Sequence, residues 1–215
     1  MCCAVLCQWQ SSLGRYWTSA EERDGESPSS YYSYRSVQVR LHHIEKLLTD
    51  QDAEIRAQAC QILGESTHTN AFEKIQKLIT SDTPRVAYFA TIAAGHLGNP
   101  RTQVVGMLAQ NKNRDVYLRH AGVVALALSQ TSEQLAALSS HESQSVRLAA
   151  VLALRKQQSP LVEIFLQDVD LNVATETARA IHDVPIEGAM EQLANSLLKS
   201  NGMPWQKRAV SACKR

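Results

Sequence analysis

A catalytic or metal centre in this 215-residue sequence would have to draw on its seven histidines and five cysteines. His42 and His43 adjoin, but neighbours on a helix point about 100° apart, so the pair suits a solvated face better than a shared metal. His96, His120 and His182 fall on apolar-periodic segments, where a hydrogen-bonded structural role is expected. Cys2, Cys3 and Cys7 lack Cys-x-x-Cys spacing, and no nearby histidine or fourth cysteine completes a zinc set. Cys60 and Cys213 lie at or beside apolar repeat positions, where a buried, inert thiol is expected. No Gly-rich phosphate loop, His-Glu-x-x-His or Gly-x-Ser-x-Gly motif occurs. The expectation is a protein that is not an enzyme, with no catalytic residue, no cofactor and no metal.

Arginine offers a second kind of chemistry. Arg56, Arg119 and Arg147 each follow a large apolar residue, namely Ile55, Leu118 and Val146. A row of guanidinium groups on a ridge would suit phosphate oxygens. The competing use is pairing with acidic or carbonyl groups of the neighbouring repeat, and it is the expected one, because Ala87, Ala174 and Gln206 interrupt the row. The charge balance agrees: 22 Lys and Arg against 21 Asp and Glu leave a net charge of +1, which removes the usual electrostatic argument for a nucleic acid or an anionic membrane.

The elements that carry these residues repeat. Ile55, Val86, Leu118, Val146, Val173 and Trp205 are spaced by 31, 32, 28, 27 and 32 residues. Four residues after each stands a small one: Ala59, Ala90, Gly122, Ala150, Thr177 and Ala209. Seven and eight residues after each come Ile62-Leu63, Ala93-Ala94, Ala125-Leu126, Ala153-Leu154, Ala180-Ile181 and Ala212-Cys213. Offsets of this kind mark one face of an α-helix, and the small residue allows a neighbouring helix close. Second apolar-periodic segments lie between, at about Val37–Leu48, Ala71–Ile79, Arg101–Ala109, Ser132–Leu138, Leu161–Leu166 and Ile186–Leu198. Pro84, Pro100, Pro160, Pro185 and Pro204 fall at or just before helix starts, and Asp52, Asp115 and Asp170 suit helix N-termini. No stretch alternates in the manner of a strand. Paired helices of this length cannot each bury an apolar face alone and must stack.

The first 35 residues differ from the rest. They hold six of the twelve aromatic residues (Trp9, Tyr16, Trp17, Tyr31, Tyr32 and Tyr34) and three of the five cysteines, with no helical or alternating period. Glu21 to Ser30 is charged, Ser-rich and broken by Gly25 and Pro28, which reads as a solvated linker. The expected organisation is a disordered tail over 1–35 and a repeat region over 36–215. Neither a secretion signal nor a membrane span is recognised, so the default compartment is cytoplasmic.

The pattern Val-Arg-x-x-Ala-x-x-Ala-Leu, as in Val146 to Leu154, resembles the first helix of a HEAT or HEAT-like repeat, and the similarity covers roughly residues 36–215. More narrowly, Leu118 to Ala127, Val146 to Lys156 and Ala174 to Ile186 resemble the HEAT segment of large secreted proteins of planctomycete-type bacteria, which join a sugar-dehydrogenase-like propeller, HEAT repeats and a c-type cytochrome. That resemblance implies an exported accessory segment of a sugar-dehydrogenase and cytochrome assembly, secreted or membrane-associated. The sequence departs from it in lacking a Cys-x-x-Cys-His haem site and a propeller. Deoxyhypusine hydroxylase also resembles this chain in architecture, but its irons need repeated His-Glu pairs, and only His141-Glu142 qualifies here. The likeness to phycobiliprotein lyases is architectural alone. Some HEAT-like DNA glycosylases engage the DNA backbone, which is what the arginine row would imply.

The fold expected is therefore all-α, a right-handed α-α superhelix or HEAT-like solenoid of five to six helix pairs. The function expected is a non-catalytic scaffold presenting an elongated groove to a protein partner, with nucleic acid disfavoured. In HEAT solenoids the second helices usually line the concave face. Their charges here divide: Arg40, Lys46, Lys74, Lys77 and Arg101 outnumber Glu45 and Glu73 in the first three, whereas Glu133, Glu163, Glu187 and Glu191 outnumber Lys199 in the last three. Such a gradient would orient an oppositely polarised partner. The helix expected from Pro204 has apolar repeat residues but no following partner, so that end is expected to fray, self-associate or dock elsewhere.

Overall fold

The computed structural model describes residues 40–199. By its contacts the chain divides into two units, 1–40 and 41–215. The expected tail over 1–35 and the helix expected from Pro204 lie outside the described residues. Every regular element among the described residues is helical.

A helix over 40–46 (α1) runs into a 3-10 turn, Leu47–Thr49. Then follow α2 (Ala53–Glu65), α3 (Phe72–Ser81), α4 (Pro84–Leu97), α5 (Arg101–Asn111), α6 (Val116–Ser129), α7 (Ser132–Ala136) and α8 (Gln144–Gln157). A 3-10 helix, Pro160–Gln167, precedes α9 (Leu171–Asp183) and α10 (Glu187–Lys199). The first helices of the pairs, α2, α4, α6, α8 and α9, pack side by side in sequence order, and each packs on the second element that precedes it in the chain. The unit is an all-α, HEAT-like solenoid.

The helix starts follow from local chemistry. Asp52 accepts a hydrogen bond from the Glu54 backbone N–H at 2.8 Å, Asp115 from Tyr117 and Leu118 at 2.8 and 3.2 Å, and Asp170 from Asn172 and Val173 at 2.9 and 3.3 Å. Each bond satisfies donors that the helix leaves open at its first turn. Pro84 is the first residue of α4, where its missing N–H costs nothing. Thr131 and Gln134 close a reciprocal capping box on α7. At the other end, α5 and α8 stop at Lys112 and Gln158, both left-handed, with φ of 46° and 53°.

The repeat positions make the core. Ala59, Ala90, Ala150 and Thr177 are buried, and so is every residue seven and eight places after the repeat start, from Ile62-Leu63 to Ala180-Ile181. A close approach unforeseen in the spacing sits one residue further on. A Cβ on Gly64 would stand 2.7 Å from the Ala93 Cα, and one on Gly95 would stand 2.6 Å from the Ala125 Cα. Both contacts join equivalent positions of successive first helices, so the absence of a side chain there sets the distance between α2, α4 and α6. At the far ends of these helices amides bridge repeats. Gln130 Nε2 donates to Asn99 Oδ1 at 2.6 Å, and Gln157 Nε2 donates to the Gln130 and Ala127 carbonyls at 2.8 and 3.0 Å.

The shorter intervals also acquire a meaning. The starts at Leu118, Val146 and Val173 lie 28 and 27 residues apart, against 31 and 32 earlier, a loss of about one helical turn per repeat. The second elements absorb it: α7 has five residues and ends in a 3-10 turn, and the next is 3-10 throughout its eight residues. With α7 so short, α5 packs on α8 as well as on α6.

Candidate interaction surface

The arginine row is resolved by its partners. Arg56 donates from Nε and Nη2 to the two carboxylate oxygens of Asp82, both at 2.6 Å, and from Nη1 to the carbonyls of Asp50 and Gln51 at 2.7 and 3.0 Å. Arg147 repeats the arrangement. Its Nε and Nη2 reach Asp168 at 2.7 and 3.0 Å, and its Nη1 reaches the carbonyls of His141 and Glu142 at 2.8 and 3.0 Å. Each guanidinium thus clamps the turn before its own helix and the turn before the next first helix. The pairing holds the Asp82 carboxyl below its ordinary 3.8, against the opposing effect of burial. These two arginines are spent on stacking and are not a phosphate ridge. Arg119, at the same repeat position in α6, is half-buried and has no such clamp among the described residues.

The histidines fall otherwise than their spacing suggests. His96 and His120 are exposed, and His182 is half-exposed, with Nδ1 3.3 Å from Asp183 Oδ1. They sit on the first helices, but their offsets of ten, two and nine residues from the repeat starts fall outside the 0, 4, 7 and 8 that mark the repeated apolar face. The buried histidine is His68, in the loop before α3, which periodicity could not single out. Its Nε2 lies 3.3 Å from Oε2 of Glu45, itself buried, while Lys74 Nζ donates to Glu45 Oε1 at 2.7 Å. The exposed His42 adds Nδ1 at 3.6 Å from Glu45. Lys74 first, then His68, draws the Glu45 carboxyl below its usual range despite burial. This cluster ties α1 to α3. Its carboxylate is fully engaged, and among the described residues no group of three or more His, Cys, Asp or Glu has a geometry that holds a metal. Burial pushes the Cys60 thiol up to about 12, so it is protonated and inert at neutral pH. Cys2, Cys3, Cys7 and Cys213 lie outside the described residues.

The charged residues expected on the second helices are on them. Lys46, Lys77, Glu133, Glu187 and Glu191 are exposed, whereas Arg101 and Glu163 are half-exposed. Arg40, the last residue of the first unit, is exposed. Lys74 is exposed too, but its ammonium is committed to Glu45, which weakens the basic half of the gradient. On the opposite edge, Arg85 of α4 forms a bidentate pair with Glu54 of α2 and lies 5.4 Å from the Phe89 ring centre. No helix of the described residues is long and apolar enough to cross a membrane.

Residues 41–127 match the family model for HEAT repeats. That stretch runs from α1 into α6, and the clamp of Arg147 on Asp168 carries the same HEAT-like stacking beyond it. No curated protein matches the sequence. Among solved structures, two crystal structures of engineered proteins are similar. One is 20% identical, with a TM-score of 0.42, covering 81% of this chain and 95% of that chain. The other is 21% identical, with a TM-score of 0.40, covering 81% and 97%.

Proposed function

We propose that the chain is a non-catalytic HEAT-like scaffold whose second helices present a divided charge surface to a protein partner. The observation that carries this reading is the use made of the reactive-looking groups. Arg56 and Arg147 clamp neighbouring repeats, Glu45 is saturated by His68 and Lys74, and Cys60 is buried, while Lys46, Lys77, Glu133, Glu187 and Glu191 stand in solvent. A stacked array of this kind offers many modest contacts to one extended partner, and charges of opposite sign at its two ends would fix the partner's direction. The phosphate-binding alternative loses two of its three arginines to the clamps. The association with a dehydrogenase and a cytochrome rests on the similar sequence segments alone.

The test is affinity capture from the native cell with mass spectrometry, comparing the wild type with Lys77→Glu/Arg101→Glu, with Glu187→Lys/Glu191→Lys, and with the four changes together. A partner lost in the charge-reversed chains, while circular dichroism stays helical, supports the reading. An unchanged set of captured proteins overturns it.

A further inference from the structure

The two clamped interfaces have an unclamped counterpart between them. In three of the turns that lead into first helices, the side chain two residues before the helix cap accepts a hydrogen bond from the cap residue's own backbone N–H. Asp50 accepts from Asp52 at 2.9 Å, Asp168 from Asp170 at 2.8 Å, and His141 Nδ1 from Ser143 at 3.0 Å. Asp168 also holds Arg147, which lies 21 residues earlier; His141 stands 22 residues after Arg119. At the place where the Arg147 repeat receives a carboxylate, the Arg119 repeat receives an imidazole.

The other half of the clamp is missing as well. Arg56 and Arg147 bond carbonyls five and six residues earlier. For Arg119 those positions are Arg114 and Asn113, in a turn wound through two left-handed residues, Lys112 and Asn113, with φ of 46° and 59°. The turn is held by Asn111, whose Oδ1 accepts from the Asp115 N–H at 2.9 Å and whose Nδ2 donates to the Asp115 carbonyl at 2.8 Å. Lys112 and Arg114, both exposed, are therefore presented on a fixed turn and form no ion pair among the described residues. The next residues, Val116 and Tyr117, are 53% and 72% exposed.

We propose that this edge, formed by the turn between α5 and α6 and the first turn of α6, docks an acidic protein segment bearing an apolar side chain. Its carboxylates would complete the Arg119 position and meet Lys112 and Arg114, and its apolar group would cover Val116 and Tyr117. Protein is favoured over nucleic acid because the equivalent arginines on either side are neutralised by Asp82 and Asp168. Three cations within residues 112–119, beside the exposed Val116 and Tyr117, do not continue into a phosphate track. A short acidic segment with an apolar anchor needs no such track. The proposal rests on the scaffold reading above but uses a different face from the second helices.

The test is fluorescence anisotropy on the full chain with three fluorescein-labelled probes: a ten-residue peptide alternating Glu with Leu and Trp, the same peptide with Lys for Glu, and a ten-nucleotide oligothymidylate. The acidic peptide is expected to bind saturably and to weaken with salt, and the other probes are not. Arg119→Gln, Tyr117→Ser and His141→Asp are each expected to weaken it roughly tenfold. His141→Asp is the deciding variant, because it supplies the missing carboxylate from within: binding falls while the melting temperature holds or rises by about 1–2 °C. Undiminished binding by His141→Asp overturns the proposal. So does oligothymidylate bound as tightly with the same dependence on Arg119. Peptide binding that is lost on reversing the second-helix charges, yet survives the edge variants, sinks this inference and leaves the scaffold reading standing.

Discussion

The α8–α9 interface and the α6–α8 interface are built on the same repeat and closed differently. In the first, Arg147 is 8% exposed, grips both oxygens of Asp168 and two carbonyls, and welds one turn to the next. In the second, the arginine is present but a histidine stands at its carboxylate's place, and the polar join is made instead by Gln157 Nε2 donating to the Ala127 carbonyl of α6 at 3.0 Å, with Asn113 Nδ2 donating to Gln144 Oε1 at 3.1 Å and Ser145 Oγ to the Leu108 carbonyl of α5 at 2.9 Å. Stacking through apolar faces is common to both. A repeat position can thus keep its residue and change its role, because its meaning lies in the partner and not in the arginine.

The largest expected effect comes from breaking the buried clamp. Arg147→Ala leaves Asp168, whose side chain is 3% exposed, as an uncompensated buried carboxylate, at a cost of about 3 kcal/mol. Arg147→Lys is expected to recover little, since an ammonium cannot bridge two carboxylate oxygens and two carbonyls at once. Urea unfolding followed by circular dichroism measures both; a loss below about 1 kcal/mol for Arg147→Ala would reduce the clamp to an ordinary surface pair. Arg119→Ala is the matching control and is expected to change stability little.

Next in size are the close approaches of the earlier repeats, between α2, α4 and α6, which neither of the two compared interfaces has. Gly95→Ala gains roughly 1 kcal/mol of helix propensity, yet its Cβ would meet backbone at 2.6 Å, so a net loss of about 1–2 kcal/mol is expected. Gly106→Ala has nothing within 4 Å of the added methyl and should be stabilising. Opposite signs for two identical substitutions, read from melting temperatures, check that helix contact and not helix propensity governs.

Helix pairing, register and caps were legible in the sequence because each depends on neighbours along the chain. The offset pattern marks the buried face, and Asp52, Asp115 and Asp170 cap the helices they precede. What was not legible depends on residues about one repeat away. Gly64 and Gly95 look like weak points in a helix until Ala93 and Ala125 are seen against them. His68 lies in a loop, outside any period, and its partner is Glu45 of α1, 23 residues earlier. Lys74, counted from the sequence as part of a charged surface, belongs to that same internal cluster. A signal did exist for the Arg147 clamp: an acceptor two residues before the helix cap recurs as Asp50-x-Asp52, Asp168-x-Asp170 and His141-x-Ser143, and of these Asp168 holds an arginine of the preceding repeat. It reads as turn chemistry until the arginine of the preceding repeat is placed beside it.

Acid should weaken the clamped and ion-paired regions before the unclamped one. The Asp82 carboxyl is held below 3.8 by Arg56, and the Glu45 carboxyl below 4.5 by Lys74 and His68. Because both values are depressed on folding, their stabilisation is complete above the ordinary values and is lost as pH falls through the lowered ones. Melting temperature is expected to be level in these groups' contribution from about pH 7 to 5 and to decline below about pH 4. Asp82→Asn should start lower at pH 7 and decline less steeply in acid; parallel curves for the two proteins would remove Asp82 from the acid transition.

The smallest effect is the one that most sharpens the comparison. His141→Asp converts the open interface to the construction of the closed one, giving Arg119 a carboxylate at the register of Asp168. Arg119 is half-buried, so the gain expected is that of a partly solvated pair, about 0.5 kcal/mol, or about 1–2 °C. Combined with Arg119→Ala the gain should vanish, and the double-mutant cycle isolates the pair from any effect of removing the imidazole. If the gain persists without Arg119, the new carboxylate acts through its own turn, as Asp50 does on the Asp52 N–H, and the open position of Arg119 is set by the left-handed turn at Lys112 and Asn113 and not by the missing acid.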